Sequence, residues 1–136
     1  MEKINKKILI LVIEDEKILV NTLEEKLMAE GFDVLKASDG DTGLQLALSK
    51  HPSLILLDLL IPKVDGLTML KKLRDDPWGS HVNVMILTNV KDTDKLAEGM
   101  SVGLDGMNNT YEYIIKTDWS LESIISRIKE KLKVKK

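Results

Sequence analysis

A chain of 136 residues with 20 basic and 22 acidic side chains has a net charge of -2, so charge alone draws it to neither nucleic acid nor an anionic membrane. It is long enough to bury about two thirds of the surface its unfolded form exposes, which favours one ordinary core. The absence of cysteine excludes a disulfide framework and a thiolate nucleophile or metal ligand, and suits a reducing cytosol.

Lysines precede an apolar run in MEKINKKILILVIEDE, but the run stops at Glu14-Asp15-Glu16 and no small-residue cleavage site follows. It reads as a strand over residues 7–13, apolar on both faces as a central parallel strand requires. A helix follows over about 17–30, with Leu19, Val20, Leu23 and Leu27 on one stripe and Gly31 as its stop. Residues 32–37 form a second strand. Asp39-Gly40 opens a second helix that runs to about Lys50, its buried stripe supplied by Leu44, Ala47 and Leu48. The third strand is Leu54 to Asp58, and Pro62 prevents its continuation by removing a backbone donor.

A third helix is expected to start near Asp65 as its N-cap and carries Leu67, Leu70 and Leu73. The cluster Asp75-Asp76-Pro77-Trp78-Gly79 is a turn before the fourth strand, residues 82–87. A fourth helix is expected over about 92–102, weakened by Gly99 and Gly103, and a fifth strand over 112–115. The last helix places Leu121, Ile124, Ile125, Ile128 and Leu132 on one face, with Ser120 as N-cap. No stretch approaches the ~20 apolar residues of a membrane span, so a soluble protein is expected.

Five strands alternating with five helices predict an α/β fold: a doubly wound, five-stranded parallel sheet with helices on both faces. Ligands of such sheets bind outside the carboxyl ends of the strands. Those ends carry Glu14-Asp15-Glu16, Asp58, Thr88-Asn89 and Lys116-Thr117. Carboxylates gathered there repel unless a cation joins them, and oxygen-only ligands from Glu14, Asp15 and Asp58 favour Mg2+ over zinc. With Lys116 and the Thr88 hydroxyl on other phosphate oxygens, Asp58 would be the nucleophile that takes a phosphoryl group.

These blocks carry a family resemblance. The acidic pair in VIEDE, the DxxxPxxxG pattern in LLDLLIPKVDG, the hydroxyl in MILTN, and the aromatic and lysine in YEYIIK together resemble the receiver domain of two-component response regulators. The likeness runs from Lys7 to Leu132, so residues 1–136 are expected to form a single receiver domain with its core at about 7–132. It implies the CheY-like, flavodoxin-like (βα)5 fold with strand order 2-1-3-4-5. Asp58 would accept phosphate from a histidine kinase or phosphotransfer protein. Mg2+ would be held by Glu14, Asp15, Asp58 and the Leu60 backbone carbonyl. Thr88 would be the switch hydroxyl, Tyr113 the switch aromatic, and Lys116 the phosphate contact. The output would be a changed binding face on the fourth helix, fifth strand and fifth helix, for a downstream protein or a second copy, in the cytoplasm and without direct nucleic-acid binding. Such a phosphoacceptor switch assists its own phosphorylation and dephosphorylation but turns over no separate substrate.

Three features depart from the pattern. Thr117 follows Lys116 where the family usually has a cis proline, and a cis bond before another residue costs about 3 kcal/mol, so a trans bond is expected. Asn89 is larger than the usual residue after the switch hydroxyl, and the segment from Gly103 to Tyr113 is longer than usual. These support the competing reading, a receiver-fold module that binds proteins without phosphate. A haloacid-dehalogenase enzyme would need an acid where Leu60 stands, and a nucleotide binder would need a phosphate-cradling loop where Glu14-Asp15-Glu16 stands.

Other residues take plainer readings. Glu16 is a first-turn helix acid rather than a primary ligand, and Trp78 and Trp119 pack over the core edge. His51 and His81 are surface residues without ligand spacing. The basic end KEKLKVKK suits a helix C-terminus.

Overall fold

The computed structural model describes residues 8–58, 66–88, 111–116 and 120–132. The expected fourth helix, the long segment as far as residue 110, and Leu60, Pro62, Asp65, Asn89, Thr117 and Trp119 lie outside them.

The apolar runs become the strands β1 (Leu9–Ile13), β2 (Asp33–Ala37), β3 (Leu54–Asp58), β4 (Asn83–Thr88) and β5 (Tyr111–Ile115). All pair in parallel in the order β2-β1-β3-β4-β5, the expected doubly wound arrangement. Among the described residues the helices between them are α1 (Lys17–Ala29), α2 (Gly40–Lys50) and α3 (Gly66–Arg74), and Leu121–Lys131 forms the C-terminal helix.

Period-two alternation divides the strand side chains between two cores. Leu11, Ile13, Ile55, Leu57, Val84 and Ile86 pack on one face with Ala47 of α2 and Met69, Leu70 and Leu73 of α3. Ile10, Val12, Leu54, Leu56, Met85, Leu87 and Ile114 face Val20, Leu23 and Leu27 of α1 and Ile124, Ile125 and Ile128 of the C-terminal helix. β1 and β3 are thus covered on both sides, which explains why their sequences lack alternation.

Caps set the helix ends. Asp39 accepts a bond from the Thr42 amide at 2.7 Å, and Ser120 accepts one from the Ser123 amide at 3.1 Å. After α1 the chain reverses through Gly31, whose φ of 98° suits a residue without Cβ. Between α3 and β4, Asp76 Oδ2 accepts from the amides of both Trp78 and Gly79 at 2.9 Å, the side-chain turn expected of that cluster.

Gly79 is required there for space. A Cβ at this position would run into the Leu73 backbone carbonyl, with the Leu73 side chain 2.9 Å away. Main chain cannot yield as a flexible side-chain tip can, so Gly79→Ala is expected to destabilise the fold by about 1–3 kcal/mol. A lowered urea midpoint with an unchanged m-value would show this.

Candidate functional site

Strand register brings the candidate site residues to one level. Ile13 pairs with Leu57, so the next residues, Glu14 and Asp58, stand side by side at the carboxyl ends of β1 and β3. Asp58 pairs in turn with Leu87, one residue before Thr88, and Thr88 pairs with Ile115, the residue before Lys116. Glu14, Asp58 and Lys116 continue the alternating set that includes Ile10, Val12, Leu54, Leu56 and Ile114, which points toward α1 and the C-terminal helix. The same alternation that builds the core therefore aims three charged groups at one another.

Glu14 and Asp58 are only 2% and 4% exposed, whereas Asp15 is open to solvent. One carboxylate oxygen from each of Glu14, Asp15 and Asp58 can lie within 4.8 Å of the others. Lys116 reaches into the group from beyond β5, its Nζ 2.9 Å from Glu14 Oε1 and 3.5 Å from Asp58 Oδ2. Glu14 Oε2 accepts from the Glu16 amide at 3.2 Å. Glu16 itself starts α1 and stands outside the carboxylate cluster.

Burial of the Lys116 ammonium works to lower its pKa, but the close contact with Glu14 and the charges of Asp58 and Glu14 outweigh that effect and raise it above the ordinary lysine value. The lysine is therefore a cation throughout the neutral range. Its contribution to stability is present below the unfolded-state pKa and is lost only as the pH rises through the higher folded-state value.

Three carboxylates against one ammonium leave two negative charges in excess, the charge of one divalent cation with its sign reversed. The donors are all oxygens, and the buried Glu14 Oε1 has the lysine charge beside it but no aligned hydrogen-bond donor. Such a set fits a hard ion that keeps several waters, as Mg2+ does.

A model of the family described as the response regulator receiver domain matches residues 10–117. The chain belongs to that family. Among curated relatives of this receiver domain, the probable transcriptional regulator ycf27 of Porphyridium aerugineum is 35% identical over 91% of the chain and 48% of its own length. The receiver domain here thus spans about half the length of that relative.

Among solved structures, a response regulator from Chloroflexus aurantiacus superposes on the receiver domain with a TM-score of 0.76 at 26% identity, covering 92% of this chain and 97% of the other. The receiver domain of a sensor histidine kinase from Pseudomonas aeruginosa, with a magnesium ion coordinated in its active-site cleft, superposes with a TM-score of 0.77 at 22% identity, covering 92% and 97%. The second likeness speaks for the fold. Receiver domains of response regulators work in two-component signalling between histidine kinases and downstream effectors, and bind Mg2+ at an acidic pocket.

The remaining expected site residues of the receiver domain take known backbone positions or none. Thr88 closes β4, and Tyr113 stands in β5 opposite Ile86. Leu60 lies outside the described residues. The expected surface positions of His51 and His81 hold, but His51 also stacks flat on the half-buried Trp78, with ring centroids 4.2 Å apart and planes 9° apart. This contact ties the left-handed residue that ends α2 to the turn before β4. No sequence signal marked it, because residues 51 and 78 meet only once two helices lie on the same sheet face. Among the described residues no helix is long and apolar enough to cross a membrane.

Proposed function

We propose that this receiver domain is a phosphorylation switch over residues 1–136, with Asp58 as acceptor of a phosphoryl group from a histidine kinase or histidine phosphotransfer protein. The observation that carries this reading is the meeting of Glu14, Asp15, Asp58 and Lys116 at one rim of the sheet. A carboxylate oxygen of Asp58 would attack phosphorus, forming a P–O bond as the P–N bond to the donor imidazole breaks and the imidazole takes up a proton. Asp58 is held at the end of a buried strand, so its position varies little as the donor arrives.

Mg2+ held by Glu14, Asp15 and Asp58, with the Leu60 carbonyl as a further ligand, would offset the negative charge of the phosphoryl oxygens as one anion attacks another. The magnesium in the Pseudomonas receiver domain supports this assignment. Lys116 would contact the phosphate once formed and Thr88 would donate its hydroxyl. Tyr113 would follow, changing the face of the fourth helix, β5 and the C-terminal helix for a downstream protein or a second copy. Transfer of this kind places the domain in the cytoplasm beside its kinase, and makes it a switch rather than an enzyme with a separate substrate.

Beryllofluoride, a phosphoryl mimic, tests this reading. With Mg2+ it is expected to move amide resonances of the wild type around Asp58, Thr88 and β5 and to leave Asp58→Ala unmoved. Identical spectra for the two proteins would instead favour the phosphate-free binding module.

A further inference from the structure

At the end of the sheet opposite the acidic rim, strand register brings two imidazoles to one groove. Leu54, the first residue of β3, pairs with Asn83, the first of β4, so His51 and His81 stand just before neighbouring strands. Both line a groove of about 370 Å3 with Trp78, Asn83 and Leu132. Trp78 joins them: its ring stacks on His51 with centroids 4.2 Å apart, and its carbonyl accepts from the His81 amide at 3.3 Å. His51 has a φ of 50°, a left-handed position that glycine or asparagine fills more readily, so the imidazole is kept there at a cost to the backbone. Hydrogen bonds also set the proton of His81. The Ser80 hydroxyl donates its only proton to the Pro77 carbonyl at 3.0 Å, so across the 2.7 Å contact His81 Nδ1–H donates to Ser80 Oγ. Neutral His81 thus keeps a lone pair on Nε2, the arrangement of a metal-binding imidazole whose other nitrogen has an outer partner.

We propose that His51 and His81 form a binding site for a divalent transition-metal ion of the zinc class, with water completing its coordination. Two nitrogen donors favour such an ion over Mg2+, which takes oxygen ligands. The field at this end of the sheet has the sign a cation needs. Helices between parallel strands run opposite to them, so their C-termini, the negative ends of their dipoles, gather here. His51 caps α2 and Leu132 caps the C-terminal helix. Lys50 and Lys131, in the last turns of those helices, are not among the side chains that line the groove. A bound ion would tie the end of α2 to the entrance of β4, the strand that Thr88 closes. The site shares no residue with the acidic rim and does not rest on the phosphoacceptor reading.

The test titrates Zn2+ into the full chain in excess Mg2+ and follows both imidazoles by long-range proton–nitrogen NMR. In the wild type the His51 and His81 signals should move along one saturation curve with a common midpoint. His51→Asn keeps a residue that tolerates the left-handed backbone, and His81→Gln keeps a polar side chain on an exposed position. Either should raise the Zn2+ midpoint at the remaining imidazole by about tenfold or more. Ser80→Ala removes only the outer partner of His81 and should raise the midpoint at both rings about tenfold. Separate midpoints for the two rings in the wild type, or a His81 midpoint unchanged by His51→Asn, would overturn the proposal. The same movement with Mg2+ alone would overturn it too. The beryllofluoride response is read at the other end of the sheet, so either result can fail while the other stands.

Discussion

Asp58→Asn is expected to stabilise the metal-free receiver domain by about 1–3 kcal/mol while removing the proposed phosphoacceptor. The sign follows from competing pairs at the rim. At an effective dielectric constant near 20, two like charges 4.8 Å apart repel by about 3.5 kcal/mol, and an ion pair at 3.5 Å attracts by about 4.7 kcal/mol. The substitution removes two repulsions, with Glu14 and Asp15, and one attraction, with Lys116. Repulsion therefore dominates what is lost, and desolvation of a carboxylate only 4% exposed acts in the same direction. Urea unfolding in the presence of a chelator measures the effect. Adding Mg2+ should then reverse the ranking, because a ligand at 100 times its Kd stabilises the wild type by about 2.7 kcal/mol. A variant less stable than the wild type in chelator would show that the cluster is not under net repulsion. The proposed function of this rim would thus be set against stability, as expected where charges are assembled for a ligand.

Much of this was legible in the sequence, for reasons that can be located. Ile8 to Ile13 and Leu54 to Leu57 are apolar without alternation, which only strands covered on both faces allow, and both proved central in the sheet. Once those two strands are neighbours, their ends must be neighbours too, so Glu14 and Asp58 could be brought together as soon as the family resemblance supplied the strand order. Helix ends were legible where a cap chemistry is local, as at Asp39 and Ser120. What could not be read is how one ammonium divides itself between two acids. Glu14 and Asp58 are equally plausible partners for Lys116 by position; the structure sets its Nζ 2.9 Å from Glu14 Oε1 but gives its hydrogen bond, at 3.5 Å, to Asp58 Oδ2. The expected fourth helix, with Asn89 and Thr117, falls outside the described residues, so the path from Asp58 to the output face belongs to the proposal.

Arg74 was the site's opposite: a charged residue that sequence reading passed over and the fold buries. It ends α3, where a basic side chain suits the helix dipole and calls for no further explanation. Yet it lies four residues after Leu70 and seven after Leu67, on the apolar stripe, and that spacing was the signal available. Its side chain, 5% exposed, donates from Nη1 to the carbonyls of Gly79 at 2.8 Å and Val82 at 2.9 Å. These are the carbonyls of the tight turn that leads into β4, where Gly79 already lies against Leu73. Arg74→Met keeps much of the apolar stem but leaves both acceptors without the guanidinium, and each buried acceptor so stranded costs about 1–3 kcal/mol. A total loss of about 2–4 kcal/mol is expected, allowing for partial relaxation toward water. Arg74 precedes β4 whereas Thr88 ends it, so the turn and the acidic rim lie at opposite ends of the strand. The variant should therefore unfold at lower urea yet, while folded, retain the Mg2+ and beryllofluoride responses of the wild type. Loss of those responses in the folded variant would mean that the turn before β4 also controls the rim, and that stability and signalling share this strand.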